Sequence, residues 1–189
     1  MKKIMSAATA AALLYCAPAG AAEFAPAPNA RHVVDLDTPD ASMSLWQLDD
    51  LSGIEALRAR ATFPRVGRKT DYGPVVVIVL ANDRSEARLT FLLSPKGAVA
   101  LLAASRGVAE LGPELFMLPV EPKEAFDLEI DWTAEGHVVV RLATKAAREM
   151  GGQGFERHEV TMDGAPTRLQ VLGGGAEVEF KPLILGALR

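Results

Sequence analysis

The chain has 189 residues and a formal net charge of −4, because 24 Asp and Glu outnumber 20 Lys and Arg. This acidic balance argues against a general nucleic-acid-binding protein, which carries an excess of basic side chains. The length is that of one domain with a short leader, and Cys16 is the single cysteine, so no disulfide framework is expected.

Residues 1–22 have the pattern of a secretory signal peptide. A basic start, MKK, precedes a mostly apolar stretch from Ile4 to Ala17 that is too short to span a bilayer comfortably. Small residues then offer cleavage after Ala21 or Ala22. The pattern predicts a secreted or periplasmic protein. No later apolar run is long enough to predict a transmembrane segment in the mature chain.

Lipid anchoring through Cys16 is the alternative interpretation of this leader. Lipoprotein precursors need a small residue before the cysteine, and Tyr15 is bulky. We therefore favour a cleaved, unanchored chain. After the leader, the Ala- and Pro-rich residues 23–30 predict an extended and mobile lead-in, and residues 31–189 predict a single domain.

Short segments of strand character, separated by turn residues, fill that domain. The candidates lie at 33–36, 43–48, 54–63, 75–80, 87–93, 98–104, 126–132, 137–142, 157–162, 167–172 and 177–185. Residues 98–104 could instead open a helix capped by Ser94, but the flanking strand periods favour a strand. Residues 107–120 look irregular, and 143–156 look like a long loop with a helical turn at 145–150.

The clearest of these segments is FDLEIDWTAEGHVVVRL, from Phe126 to Leu142. Residues at alternate positions point to opposite faces of a strand, so Trp132 shares an apolar face with Phe126 while Glu129 lies on the other face. The stretch around Gly136 breaks the run and predicts a turn. The pattern predicts a hairpin with one buried and one wet face, which is typical of an antiparallel sheet.

These features predict an all-β protein with two antiparallel sheets and little helix. The segment LEIDWTAEGHVVVRL, followed by HEVTMDGAPTRLQV and VEFKPLILGAL, resembles the concanavalin A-like jelly roll. That superfamily includes lectins, laminin-G-like modules and glucanases. The resemblance implies a β-sandwich, or jelly roll, with a concave face that often meets glycans.

The first candidate site is the carboxylate row Asp127, Glu129 and Asp131. Retaining glycosidases place two carboxyl groups about 5 Å apart, and alternate strand positions approach that spacing. The row is similar to the acidic strand of the glucanases, which carries Glu, Asp and Glu, but the residue types differ here. A solvated strand face explains the row equally simply, so we expect no catalytic role.

The second candidate is a basic group on the 54–63 strand and in the loop that follows it. Arginine binds carboxylate and sulfate groups through paired donors, which suggests an anionic polysaccharide as ligand. Tyr72 and Trp46 are candidates for stacking on a sugar ring. The basic residues are Arg58, Arg60, Arg65, Arg68 and Lys69. Cross-strand pairing with Asp and Glu is the alternative role for these cations.

No metal or cofactor is predicted. His32, His137 and His158 share no local ligand spacing, and the sequence contains no zinc, phosphate-loop or nucleophile-elbow motif. The acidic pairs at 35 and 37 and at 49 and 50 lie outside any recognised calcium loop.

Two runs, VVVIVL at 75–80 and AVALLAA at 98–104, are apolar on both strand faces. A half-exposed strand should alternate, so both faces of these strands should be covered. Residues 107–120 are the most economical cover, and another subunit in a homo-oligomer or an apolar ligand are the alternatives.

Together these patterns favour an exported, non-enzymatic module that binds a glycan or an anionic surface polysaccharide. A carbohydrate-active hydrolase or lyase using the same sheet face is one alternative. A structural or assembly protein of the cell envelope is the other.

Overall fold

The structure, a computed structural model, describes residues 23–39, 42–67, 73–106, 109–116, 120–121, 123–149 and 154–189, with only the backbone at 109–112. The predicted leader with Cys16 lies outside these residues, as do the candidate ligand residues Arg68, Lys69 and Tyr72.

The described part of the chain forms two antiparallel sheets of six strands each. The strands are β1 Phe24–Asp37, β2 Met43–Leu48, β3 Ala56–Val66, β4 Val75–Ala81, β5 Ser85–Ser94, β6 Gly97–Arg106, β7 Ala109–Leu115, β8 Phe126–Trp132, β9 His137–Ala143, β10 Glu156–Thr161, β11 Arg168–Gly174 and β12 Ala176–Leu188. Sheet A has the order β1-β12-β3-β8-β9-β10, and sheet B has the order β2-β11-β4-β5-β6-β7. The predicted antiparallel β-sandwich is confirmed.

The one described helix is α1, Lys145–Glu149, where a helical turn is expected. Residues 98–104 lie in β6, so the strand interpretation is correct there. Within the described residues, no helix has the length and apolar character that crossing a bilayer requires.

Two segments differ from expectation. Residues 24–30, expected as a mobile lead-in, form the start of β1, and Phe24 lies opposite Leu188 of β12. Residues 109–115, expected as irregular, form β7, which pairs with β6. Both strands lie at sheet edges and carry Pro or Gly, which obscures their strand period in the sequence.

The core lies between the sheets and is built from the apolar positions of every strand. Three phenylalanine rings join the two sheets: Phe63 and Phe126 of sheet A contact Phe91 of sheet B, with ring centroids 5.3–5.5 Å apart. Trp132 is only 3% exposed, and its Nε1–H donates to the Ile54 carbonyl at 2.9 Å. The predicted register of the β8–β9 hairpin is therefore confirmed.

The outer faces of the two sheets differ. The outer face of sheet A carries arginine and carboxylate side chains, whereas part of the outer face of sheet B is apolar. The described residues of the 107–120 segment do not lie over the outer face of the apolar runs as expected, because β7 extends sheet B at its edge instead. Leu92 and Val99 consequently remain about half exposed.

Candidate functional site: the charged outer face of sheet A

Four neighbouring strands build the charged face, because their solvent-facing residues lie opposite one another across the sheet. Arg58 of β3 lies opposite Glu129 of β8, which lies opposite Arg141 of β9, which lies opposite Arg157 of β10. On the other side of Arg58, the row continues through Ile184 of β12 to Arg31 of β1. One cross-strand row thus contains four arginines and a single carboxylate, and we call it the arginine row.

Asp131 is the best-buried carboxylate of this face, with 14% of its side chain exposed. Its Oδ2 accepts a hydrogen bond from Arg141 Nη1 at 2.5 Å, and its Oδ1 forms an ion pair with Arg58 Nη1 at 2.5 Å. Glu129 lies 3.7 Å from a guanidinium nitrogen of each of the same two arginines. These four side chains form one ionic cluster across three strands.

A second ion-pair group lies beside the first. Asp127 is opposite Arg60, and its carboxylate is 3.5 Å from Arg60 Nη1. The same carboxylate accepts a hydrogen bond from Arg148 of α1 at 2.9 Å. The short helix therefore supplies an arginine to the face from outside the sheet.

The carboxylate row and two arginines of the second candidate site, Arg58 and Arg60, share one surface in the structure. Each carboxylate of the row Asp127, Glu129 and Asp131 has an arginine partner, so cross-strand pairing describes Arg58 and Arg60. A shallow depression of about 200 Å³ lies between β3, β8 and Pro182. Its walls carry both guanidinium donors and carboxylate acceptors.

Two further candidate ligand residues that the structure describes, Arg65 and Trp46, lie away from this cluster. Arg65 donates to Asp37 at 2.6 Å and to the Thr38 carbonyl at 2.8 Å. Trp46 points toward the core and packs edge-to-face on His32, with ring centroids 5.5 Å apart. Packing therefore describes Trp46 better than a sugar platform does.

Sequence reasoning missed four arginines of the face: Arg31, which needed the β1–β12 pairing, and Arg141, Arg148 and Arg157. The wet face of 137–142 already included Arg141, so this residue was detectable once the hairpin register was assumed. Arg157 needed the β9–β10 pairing, and Arg148 needed the fold of the loop that contains α1. Neither relation is visible in a local period.

A group of carboxylates on β1 and β12 extends the charged face. Oxygens of Asp35, Glu177 and Glu179 lie within 4.8 Å of one another. Lys181 Nζ donates to Glu179 at 2.9 Å and to Asp35 at 3.1 Å, and these two hydrogen bonds raise the pKa of Lys181 above its ordinary value. Because this ammonium group already pairs with two of the three carboxylates, we assign no metal to them.

The histidines have separate surroundings. His137 lies 3.6 Å from Glu159, and His158 lies 2.9 Å from Glu156 while its ring packs on Phe116.

At the acidic pair formed by residues 49 and 50, Asp50 accepts a hydrogen bond from the Ser52 amide at 2.8 Å. The side-chain and backbone hydrogen bonds of Ser52 lower the pKa of Asp50 below its usual range.

Searches with the sequence match no known protein family and no curated protein. Solved structures match at the level of the fold. Galectin LEC-6 of Caenorhabditis elegans superimposes with a TM-score of 0.52 at 10% identity, over 80% of this chain and 95% of that one. A legume lectin-like domain from Entamoeba histolytica gives 0.52 at 8% identity, over 89% of each chain.

A third structure, the carbohydrate-binding module CBM66 from Bacillus subtilis, gives a TM-score of 0.51 at 7% identity, over 84% of this chain and 96% of that one. At such low identity these likenesses establish the fold alone. The chain has the concanavalin A-like jelly-roll fold that the sequence predicted.

Proposed function

We propose that the protein is an exported, non-enzymatic module that binds an acidic glycan on the outer face of sheet A. The observation that carries this proposal is the arginine row, in which Arg31, Arg58, Arg141 and Arg157 cross the sheet in one registered row that contains a single carboxylate, Glu129. Guanidinium groups bind carboxylate and sulfate groups through paired hydrogen bonds. The names of the structurally similar lectin and carbohydrate-binding module favour a glycan among anionic ligands.

The composition of the face supports a charged ligand over a neutral one. Neutral sugars usually need an exposed aromatic ring as a stacking surface. Of the two tryptophans, Trp132 is buried and Trp46 packs toward the core. The face offers charged and hydrogen-bonding groups, which suit uronic-acid or sulfated units.

The ion pairs also favour binding over hydrolysis. A glycosidase needs one carboxyl group free to donate a proton and a second free to act as nucleophile or base. Asp127 and Asp131 each contact two arginines, and Glu129 lies between two. Such contacts suit carboxylates that orient guanidinium groups.

The composition of residues 1–22 supports export. Mass spectrometry of the protein recovered from outside the cytoplasm tests it, because cleavage of the leader lowers the molecular mass of the chain.

The test uses two arginines that can be removed without leaving a buried charge. Arg60 and Arg157 are about half exposed, and Asp127 retains Arg148 when Arg60 is lost. The matched control replaces Arg88 and Arg106, two exposed arginines of sheet B. Both double variants substitute Gln for Arg, so they change the net charge equally.

We expect wild type and the Arg88→Gln/Arg106→Gln control to bind uronic-acid oligosaccharides better than neutral ones in calorimetric titrations. The Arg60→Gln/Arg157→Gln variant should bind about tenfold more weakly or worse, because each lost charge-assisted hydrogen bond costs about 1.5–3 kcal/mol. Added salt should weaken wild-type binding, since the screening length is about 8 Å at physiological ionic strength. Equal affinities for the two double variants would refute the assignment of this face.

A further inference from the structure

We infer that the outer face of sheet B is the contact surface for a second copy of this chain. The inference does not depend on glycan binding, because the charged face lies on the opposite sheet. Five large apolar side chains on sheet B have relative exposures between 44% and 63%. They are Met43, Leu45, Leu92, Val99 and Leu115.

Strand register gathers these side chains into two parallel rows. The first row runs across Met43, Gly174, Val75, Leu92 and Val99 on five successive strands. Every neighbour in the row is a direct cross-strand partner, and Met43 and Val75 flank Gly174, with Met43 Cγ 3.8 Å and Val75 Cγ1 3.3 Å from the position a Cβ would take there. The exposed residues are therefore one continuous surface.

The second row lies two residues further along each strand and crosses the whole sheet. It contains Leu45, Leu172, Val77, Thr90, Leu101 and Leu115. Neither row contains an ionisable side chain. We call these two rows the apolar rows.

The dimensions of the rows suit an interface. Six strands about 4.8 Å apart span about 29 Å, and two rows of alternate residues cover about 14 Å along the strands, which gives about 400 Å². A patch of that size is at the scale of the largest apolar patches on monomers, many of which are functional. This apolar area is about half of the roughly 800 Å² per partner that a standard-size interface buries, so the polar positions around the rows must supply the rest of the contact.

The charges of the face favour a second copy as the occupant. A surface that pairs with itself across a two-fold axis must be complementary to itself. The uncharged apolar rows meet this condition, because they contain no charge that would meet its like. The neighbouring polar row meets it as well: Gln170 donates to Gln47 at 2.6 Å, and Arg88 pairs with Glu86, so donors and acceptors both occur.

Sedimentation velocity of the purified protein over a roughly hundredfold range of concentration tests the inference, since dimerisation follows mass action. The variant Leu92→Lys places a charge in the middle of the apolar rows without uncovering the core. The matched control is Val33→Lys, because Val33 is 65% exposed but lies on the edge strand of sheet A. We expect wild type and the control to form dimers and Leu92→Lys to remain monomeric with an unchanged circular dichroism spectrum.

If Leu92→Lys fails to fold, Leu92→Thr introduces a β-branched side chain that suits a strand and removes apolar area. The dimer of this variant should dissociate at concentrations about tenfold higher than those of wild type. A wild type that stays monomeric at every concentration would overturn the inference. If either Leu92 variant dimerises as strongly as the Val33→Lys control, the inference is also overturned. A monomer that binds a hydrophobic dye in a Leu92-dependent way would assign the face to an apolar ligand or another protein instead.

Discussion

Gly136 shows how one residue connects two turns of the sandwich. Its φ of 90° lies in a region that side-chain-bearing residues rarely adopt. Its N–H donates to the Thr133 carbonyl at 3.0 Å, and its own carbonyl accepts from the Met162 amide at 2.8 Å. A Cβ at this position would lie 2.6 Å from the Gly164 carbonyl oxygen. The β8–β9 turn can therefore pack against the β10–β11 turn only because residue 136 has no side chain.

Substitution of Gly136 should lower the free energy of unfolding more than substitution of another glycine with a similar backbone conformation. Gly53 has φ 72° and no neighbouring atom within 4 Å of an added Cβ. Gly53→Ala should lower the free energy of unfolding by about 1–2 kcal/mol, the cost of the left-handed backbone alone. Gly136→Ala should lower it by about 2–5 kcal/mol, because the methyl group also overpacks against fixed backbone. Urea denaturation of both variants measures the difference, and equal losses would contradict the packing argument.

Strands β3, β8 and β9 are joined by more than their backbone hydrogen bonds, because the ionic cluster bridges all three. Arg58 also donates to the Leu57 carbonyl at 2.9 Å, and its guanidinium group lies 5.0 Å from the Phe24 ring centroid. Asp131 is therefore held between two arginines that have few alternative positions. Asp127, with 44% of its side chain exposed, has more contact with water.

This difference predicts unequal effects of the same chemical change on one strand. Asp131→Asn should lower the free energy of unfolding by about 1–3 kcal/mol, because two partly buried guanidinium groups lose their shared counter-charge. Asp127→Asn should change it by less than about 1 kcal/mol, as is usual for exposed ion pairs. Denaturation of the two variants in the same buffer tests the prediction. A larger effect at Asp127 would show that burial does not set the strength of these pairs.

At the scale of the whole molecule, the start and end of the described chain meet in one sheet. The Glu23 amide donates to the Arg189 carbonyl at 2.8 Å, and the Arg189 amide donates to the Glu23 carbonyl at 2.9 Å. Residues 24–30 belong to β1, and Ala30 is buried. The segment that composition marks as a mobile lead-in is thus part of the folded sheet.

A version of the protein that begins at Arg31 should consequently be less stable than one that begins at Glu23. The shorter version loses several backbone hydrogen bonds to β12, each worth about 0.5–1.5 kcal/mol, together with the ring of Phe24 beside Arg58. We expect the free energy of unfolding to fall by about 2 kcal/mol or more. Guanidinium denaturation measures it, and identical midpoints and slopes for the two versions would show that residues 23–30 add nothing to the fold.

The sequence by itself determined the secondary structure and the orientation of most strands. Alternation of apolar and polar residues has a period of two, which is a local property, so the burial of Trp132 and the outward position of Glu129 followed from neighbouring residues. The same alternation predicted β3, β5 and the β8–β9 hairpin, whereas β4 and β6 were predicted from short apolar runs between turn residues. The first part of edge strand β1, at residues 24–30, and the whole of edge strand β7 were not predicted, because Pro and Gly interrupt the alternation there.

Only the tertiary structure decided which strands lie side by side, and hence what the outer faces carry. Arg58 and Asp131 are far apart in the chain, and their contact depends on β3 pairing with β8. Pairing between distant strands depends on the burial of the whole core, which no local period encodes. For the same reason the ion pairs of sheet A and the apolar rows of sheet B became visible only when the strand order was known.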